Sequence, residues 1–257
     1  MDKSISVIIP CFNSVKTIER CLLSVFNQSI LPDEIICIDD GSSDSTLILL
    51  EKIRLNCDKN ISFKILKQAN LGPSSARNNG AKLASSKYLA FLDSDDVWHP
   101  QKLEISIFFL LEYNLDFLFH QYDSTSIAEY EKYNISNLSI KSLKKSRFMF
   151  KNYIATPTVI LCKELFVPFP ENLSYCEDYC CWILNNHNDY FYFVDLPLSN
   201  GFKKPIGEAG LSSNIYKMHR GFLDALKYLL QVKKISLSFY IIAFIFEYLK
   251  YPLRYFR

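Results

Sequence analysis

Three carboxylates, Asp93, Asp95 and Asp96, follow directly on the apolar run Tyr88-Leu89-Ala90-Phe91-Leu92. Carboxylates crowded in this way repel one another and stay ionised at neutral pH only where a cation or hydrogen-bond donors offset the repulsion. A hard divalent ion, Mg²⁺ or Mn²⁺, meets that need with oxygen ligands, commonly one or two carboxylates completed by phosphate oxygens of a substrate. One reading of the stretch is therefore a metal–diphosphate site, and the other is an acidic turn capping the next helix, since Asp is a good N-cap. A second acidic pair, Asp39-Asp40, suits a donor-rich, uncharged partner such as a ribose hydroxyl or a uracil imide N–H, and not a phosphate. A third, Glu177-Asp178, stands before an apolar helical stretch. It either caps that helix or takes the proton of an attacking hydroxyl, with one carboxylate raising the pKa of its neighbour. Arg77, one turn into an expected helix, can pair with a site carboxylate, with a phosphate, or only with a surface acid.

The elements that must position these groups are legible over the first hundred residues. Ile5–Ile9 reads as a strand stopped by Pro10, Glu34–Ile38 as a second, Ile61–Leu66 as a third and Tyr88–Leu92 as a fourth. Helical spacing is expected over Val15–Gln28, Ser45 to about Arg54, and Pro73–Ala84. Strands alternating with helices at this spacing make βαβ units and a mostly parallel sheet. In such sheets ligands lie outside the carboxyl ends of the strands. The loops carrying Pro10–Asn13, Asp39-Asp40-Gly41 and Asp93–Asp96 are therefore expected on one edge, with Phe12 offering a ring face to a base or simply packing.

With 257 residues the chain can bury a sizeable core, and its net charge of +2 gives no strong general attraction to polyanions, so no nucleic-acid partner is expected. Its eight cysteines form no C-x-x-C pair, which argues against a zinc or redox motif. Ile5–Ile9 is too short for a signal-peptide core, and the reading is a reduced, cytoplasmic protein.

Ser6-Val7-Ile8-Ile9-Pro10-Cys11-Phe12-Asn13, Ile38 to Thr46, Asn70-Leu71-Gly72 with Ala76-Arg77-Asn78, and Phe91 to Asp96 resemble, in order and spacing, the signature of the family 2 glycosyltransferases. The resemblance is specific over about the first hundred residues. It implies a GT-A fold, an α/β architecture in which a Rossmann-like, mostly parallel sheet with helices on both faces joins an acceptor-binding half. It implies an inverting transferase of bacterial glycan or O-antigen type, using a nucleoside-diphosphate sugar with Mn²⁺ or Mg²⁺. By the same resemblance Asp40 holds the base with Asp39 beside it, and Pro10, Phe12 and Asn13 line the nucleoside pocket. Asp93-Ser94-Asp95 is then the D-x-D-type motif, with Asp95 the direct metal ligand and Asp93 nearer the ribose. Phe12 stands where the family commonly has Tyr, so a stacking contact can persist but a hydroxyl contact cannot. Glu177-Asp178 resembles the family's acidic pair, implying Asp178 as general base and Glu177 as its supporter or as an acceptor-hydroxyl ligand. Uracil is the base expected from family habit.

The organisation expected is a nucleotide-sugar half at 1–100, an acceptor half at 101–214 and a helical C-terminal extension at 215–257. Beyond the first half, Pro100–Asn114 reads as a helix, with strands at Asp116–His120, Thr158–Cys162 and Tyr190–Val194. Ser124–Lys145 is polar and without a clear period, a candidate acceptor-site loop. Gly201–Asn214 is a candidate lid over the diphosphate. Lys203, Lys204, Lys217, His219 and Arg220 are candidate phosphate partners, and His219 a further candidate metal ligand. Ile215–Val232 has helical spacing, and Ile235–Phe246 is a nearly continuous apolar run, too short to span a membrane. Basic residues and tyrosines flank that run, as in a helix lying at the inner face of an anionic membrane beside a lipid-linked acceptor. The alternative is packing on the catalytic domain or on a second subunit. Two other functions fit parts of the pattern: phosphoryl transfer through Asp93-Ser94-Asp95-Asp96-Val97, and a non-catalytic membrane adaptor keeping the fold.

Overall fold

The computed structural model describes residues 2–123, 131–201 and 214–256. Strands β1 (Ile5–Cys11), β2 (Glu34–Asp39), β3 (Ser62–Lys67) and β4 (Tyr88–Phe91) pair in parallel in the order β3-β2-β1-β4. Helices α1 (Ile18–Phe26), α2 (Thr46–Leu55) and α3 (Pro73–Leu83) make the crossovers. β1, β2 and β4 are buried along nearly their whole length, which is why they read as continuous apolar runs and not as alternating ones. Alternate side chains serve opposite faces. Val7 and Ile9 join Leu22 and Val25 of α1 in one core, and Ile8 joins Ala76 and Ala81 of α3 in the other.

Chain order reverses at β1. β2 and β3 lie to one side, and α3 carries the chain back to β4 on the other. Such a switch point opens a crevice at the carboxyl ends of the central strands. α3 lies hard against β1 because residue 80 is glycine: a Cβ there would stand 2.5 Å from Ile8 Cγ2.

Past β4 the sheet turns antiparallel. β8 (Ile160–Cys162) pairs antiparallel with both β4 and β6 (Phe117–Asp123), while β6 runs parallel to β9 (Tyr190–Asn200). β9 also receives β5 (Val97–Trp98) and β7 (Ile140–Lys144), both antiparallel. Helix α4 (Lys102–Glu112) covers the α1 face, and α5 (Glu177–Asn185) the opposite one. The expected strand at Thr158–Cys162 is shorter, because Thr156–Thr158 form a 3-10 turn around Pro157. The polar stretch Ser124–Lys145 ends in β7, whose pairing with β9 supplies the order its composition does not. Residues 124–130, and 202–213 of the expected lid with Lys203 and Lys204, lie outside the described residues.

α6 (Ile215–Gln231) packs on α5, and α7 (Leu237–Lys250) packs on α6 through Phe239 and Ala243. This matches the packing alternative for one face of α7. Gly221 of α6 meets Tyr175, whose Cβ would be 2.3 Å from an added one. No described helix is long and apolar enough to cross a membrane.

Candidate active site

The carboxyl ends of β1, β2 and β4 converge, and hydrogen bonds tie their loops together. Asn13, after β1, has a left-handed backbone (φ 49°), and its side-chain oxygen accepts from the Ser43 and Asp44 amides after β2 at 2.8 and 3.3 Å. The Asp40 amide donates to the Cys11 carbonyl at 2.8 Å. α1 reaches the loop after β4: Arg20 Nη2 donates to the Asp95 carbonyl at 2.9 Å, and Cys21 Sγ to that of Asp93 at 3.6 Å. Asp40 and the Asp93–Asp96 turn therefore stand on one rim, at the strand ends on either side of β1.

The residues on this rim differ in how they are engaged. Asp40 is buried and accepts from Gln68 Nε2, Leu71 N and Gly72 N at 2.8, 2.8 and 2.9 Å. Those bonds fix the chain before α3. Asp39 is fully buried. Its Oδ1 accepts from Ser42 N at 3.3 Å, and its Oδ2 has no hydrogen-bond partner. Pro10 is half-buried and does not stop β1, which pairs with β2 one residue further, to Cys11; Phe12 beyond it is 49% exposed, leaving a ring face open to a stacking partner. Ser94 is half-buried between the two carboxylates of the D-x-D motif. Asp96 is buried and accepts from Tyr122 Oη at 2.9 Å, directly over Gly201, where a Cβ would collide with the phenol oxygen.

Arg77 links this rim to the start of α5. Its guanidinium is buried, with Nη2 2.7 Å from Asp93 Oδ1, Nη1 3.6 Å from Glu177 Oε1, and the Phe169 ring 5.2 Å away. Burial opposes its charge, but Asp93 and Glu177 more than offset this and hold it protonated. Nε and Nη1 make no hydrogen bond. The carboxylates of Glu177 and Asp178 lie in the first turn of α5, where the helix dipole favours negative charge. Neither stands at the N-cap position, which is Cys176, in a left-handed conformation and without a side-chain bond. Asp178 Oδ2 accepts from Asn152 Nδ2 at 2.9 Å and Oδ1 from its neighbour's amide, Tyr179 N, at 2.7 Å. Burial and then the Asp178 charge raise Glu177 to about 7, with Arg77 pulling the other way. Burial also raises Asp178, against the Tyr179 amide and Arg77. Both remain partly open at the surface, Glu177 to 13% of its side chain.

His219 lies elsewhere, in the α6–α7 contact. Its Nδ1 is 3.1 Å from Glu247 Oε1 and its ring stacks on Tyr251 at 4.1 Å. The Tyr248 ring lies edge-on at 5.1 Å, so the described contacts of the histidine are those of helix packing, and the structure does not bring it together with Asp93 and Asp95. Lys217 and Arg220 are exposed along α6, beside a groove of about 520 Å³ that also takes in Tyr175, Tyr216, Lys227 and Tyr228. Gln68, Tyr122, Asn152 and Arg20 were not expected at the site. Each reaches its carboxylate or turn from a distant part of the sequence, and nothing local signals it. Among the described residues no three or more His, Cys, Asp or Glu side chains converge into a closed metal cage. Asp93 and Asp95, two residues apart after β4, offer two carboxylates, the number that Mg²⁺ or Mn²⁺ commonly takes from a protein when phosphates supply the rest.

Residues 6–167 match the family model described as glycosyl transferase family 2. A glycosyltransferase of Rickettsia conorii, itself uncharacterised, is 37% identical over 192 residues, covering 71% of this chain. The chain spans only 30% of that protein's length. WfgD of Escherichia coli, named as a UDP-Glc:alpha-D-GlcNAc-diphosphoundecaprenol beta-1,3-glucosyltransferase, is 30% identical over 226 residues, covering 84% of this chain and 82% of WfgD. The crystal structure of S. aureus TarS 1-349 in complex with UDP-GlcNAc superposes with a TM-score of 0.68 at 24% identity, over 88% of this chain and 66% of that one. The phosphoryl-transfer alternative is set aside, since its motif ends a first strand, whereas Asp93 follows the fourth and sits on Arg77. With a GT-A-type α/β sheet, an acidic rim at its switch point and a family match over most of its length, this chain is a member of glycosyl transferase family 2.

Proposed function

We propose that the chain catalyses inverting transfer of a sugar from a nucleoside-diphosphate donor, UDP-linked, to a hydroxyl of a lipid-linked glycan. The observation that carries this is the buried Arg77 bridge. One cation stands between the carboxylates of Asp93 and Glu177, and two of its guanidinium nitrogens make no hydrogen bond. Buried unsatisfied donors of this kind suit an arriving anion such as a diphosphate. Similarity to WfgD, whose name carries a UDP-sugar donor and a diphosphoundecaprenol acceptor, supports both substrate classes.

In this reading Asp40, Asp39, Pro10, Phe12 and Asn13 hold the nucleoside, with Phe12 against the base. Asp95, with Asp93, would hold Mn²⁺ or Mg²⁺, which when bound supplies positive charge to the diphosphate. Asp178 accepts the proton of the acceptor hydroxyl. That oxygen attacks the anomeric carbon from the face opposite the diphosphate. The bond to the leaving phosphate oxygen breaks with its electron pair, and the anomeric centre inverts. A raised pKa suits Asp178 to accept a proton, and Asn152 with the Tyr179 amide holds its carboxylate in place. Arg77 places Glu177 beside it.

Thermal-shift titration with UDP-, GDP- and dTDP-sugars, with and without Mn²⁺, tests the donor site. Stabilisation by a UDP-sugar only when Mn²⁺ is present is expected, with Asp95→Asn losing it. Asp178→Asn is expected to keep the shift yet release nucleoside diphosphate roughly 10²- to 10⁴-fold more slowly. Near-normal release by that variant removes the base assignment.

A further inference from the structure

α7 is apolar on all sides, and the fold covers only one of them. Phe239, Ala243 and Glu247, four residues apart, face α6 and are buried. Leu237, Ile241, Ile245 and Leu249, also four apart and offset to the opposite side, are 46 to 68% exposed. Ile242 and Leu253 widen this stripe, and Tyr248 borders it with half its surface in solvent. An exposed stripe of large aliphatic side chains along a whole helix marks an interaction surface.

The charge around the stripe identifies its partner. Residues 232–257 contain Lys233, Lys234, Lys250, Arg254 and Arg257 against a single carboxylate, Glu247. That carboxylate is fully buried and faces inward, where Lys250 and Arg254 approach it at 2.9 and 2.8 Å. The outer face therefore carries no acid at all. Lys233 is exposed at the turn into α7, and Lys250 and Arg254 stand partly exposed at its far end. A second copy of the chain would bring like-charged ends together in a two-fold pairing of these helices, parallel or antiparallel. An anionic lipid surface meets both features at once, taking the aliphatic stripe at the acyl boundary and the cations and tyrosines at the headgroups.

We infer that the outer face of α7 docks the protein on an anionic membrane, with the helix lying in the plane of the interface. The placement rests on the proposed lipid-linked acceptor only for its purpose. α7 packs on α6, and α6 grips the loop that leads into Glu177-Asp178, through Gly221 against Tyr175 and the Met218 carbonyl 3.8 Å from Cys176 Sγ. One helix thus separates the lipid-facing stripe from the candidate base.

Flotation with vesicles of phosphatidylcholine alone and of phosphatidylcholine mixed with phosphatidylglycerol tests the docking. The chain is expected to float with the anionic vesicles and to bind at least about ten-fold more weakly to the zwitterionic ones. The triple variant Ile241→Glu, Ile245→Glu, Leu249→Glu changes only exposed positions and is expected to stay folded by circular dichroism and monomeric by light scattering. It should lose at least about ten-fold in partitioning. Equal flotation of the triple variant, or no flotation of the parent chain, overturns the inference. So does a parent dimer that the variant converts to monomer without any vesicle binding. Stabilisation by UDP and Mn²⁺ is expected to be the same in both proteins. Its absence from both, with flotation intact, would count against the proposed transferase and leave the docking standing.

Discussion

Replacing Arg77 by methionine keeps an unbranched stem over Phe169 and removes only the charge that Asp93, Glu177 and Asp178 share. Two unit charges about 4 Å apart interact by about 4 kcal/mol at the effective dielectric of a partly exposed site. Breaking a buried pair from one side costs about 3–5 kcal/mol. The Asp93 side chain is 30% exposed, which places the Asp93 part of this at about 1–2 kcal/mol, and the rest falls on the Glu177-Asp178 pair. That second part depends on pH, with a definite sign. Glu177 titrates at about 7 in the fold against an ordinary 4.5, so its protonated form favours the native state. The stability this gives is complete below 4.5 and is lost as pH rises through 7. Removing Arg77 pushes the folded value higher still, deepening the loss on the alkaline side. Urea unfolding of Arg77→Met is therefore expected to show a deficit of about 3–5 kcal/mol near pH 8.5 and only about 1–2 kcal/mol near pH 5.5. A deficit that is constant with pH, or larger in acid, would refute the shared-cation account of this site.

Further outcomes follow from the same geometry. The rate of sugar transfer is expected to fall as pH drops below about 7, because the acidic pair takes up a proton there. In pH–rate measurements Asn152→Ala should move that acid limb upward, since Asn152 favours the ionised form of Asp178; a downward shift would count against Asp178 as base. Gly201→Ala puts a methyl where the Tyr122 phenol oxygen lies, 1.7 Å from the new carbon, and so breaks the bond from Tyr122 to Asp96. It is expected to cost about 1–3 kcal/mol by thermal melting and to weaken Mn²⁺-dependent donor binding, whereas Tyr122→Phe alone should cost no more than about 1–2 kcal/mol.

The first hundred residues were legible because each of their signals is local. Apolar runs of strand length end in Pro10, in Asp39-Asp40-Gly41 and in Asp93, and the helices between them show their spacing over a few turns. The parallel rule then brought Asp40 and Asp93 to one edge without any contact being known. The part of the sheet past β4 depends on distant pairings. β7 is polar and becomes a strand only because β9 lies beside it, and β9 runs on to Asn200 through Pro197, well past its apolar start. Two-residue β5 has no signature of its own. The same holds within the site. Glu177-Asp178 stood out as a pair of acids, but its link to Asp93 passes through a helix a hundred residues earlier, and Asn152 is one asparagine among many. His219 is the opposite case: its residue type suggests a ligand, and only the packing of α6 against α7 reveals its engagement with Glu247.

The bare Cα at position 80 has a consequence for the chemistry one turn away. α3 can rest on β1 only while nothing projects there toward Ile8. The guanidinium of Arg77, on that same helix, reaches Asp93 because the helix sits this low. Selection on the reaction would thus act on a residue that touches no substrate, and a single added methyl could raise the whole lever from which the cation hangs.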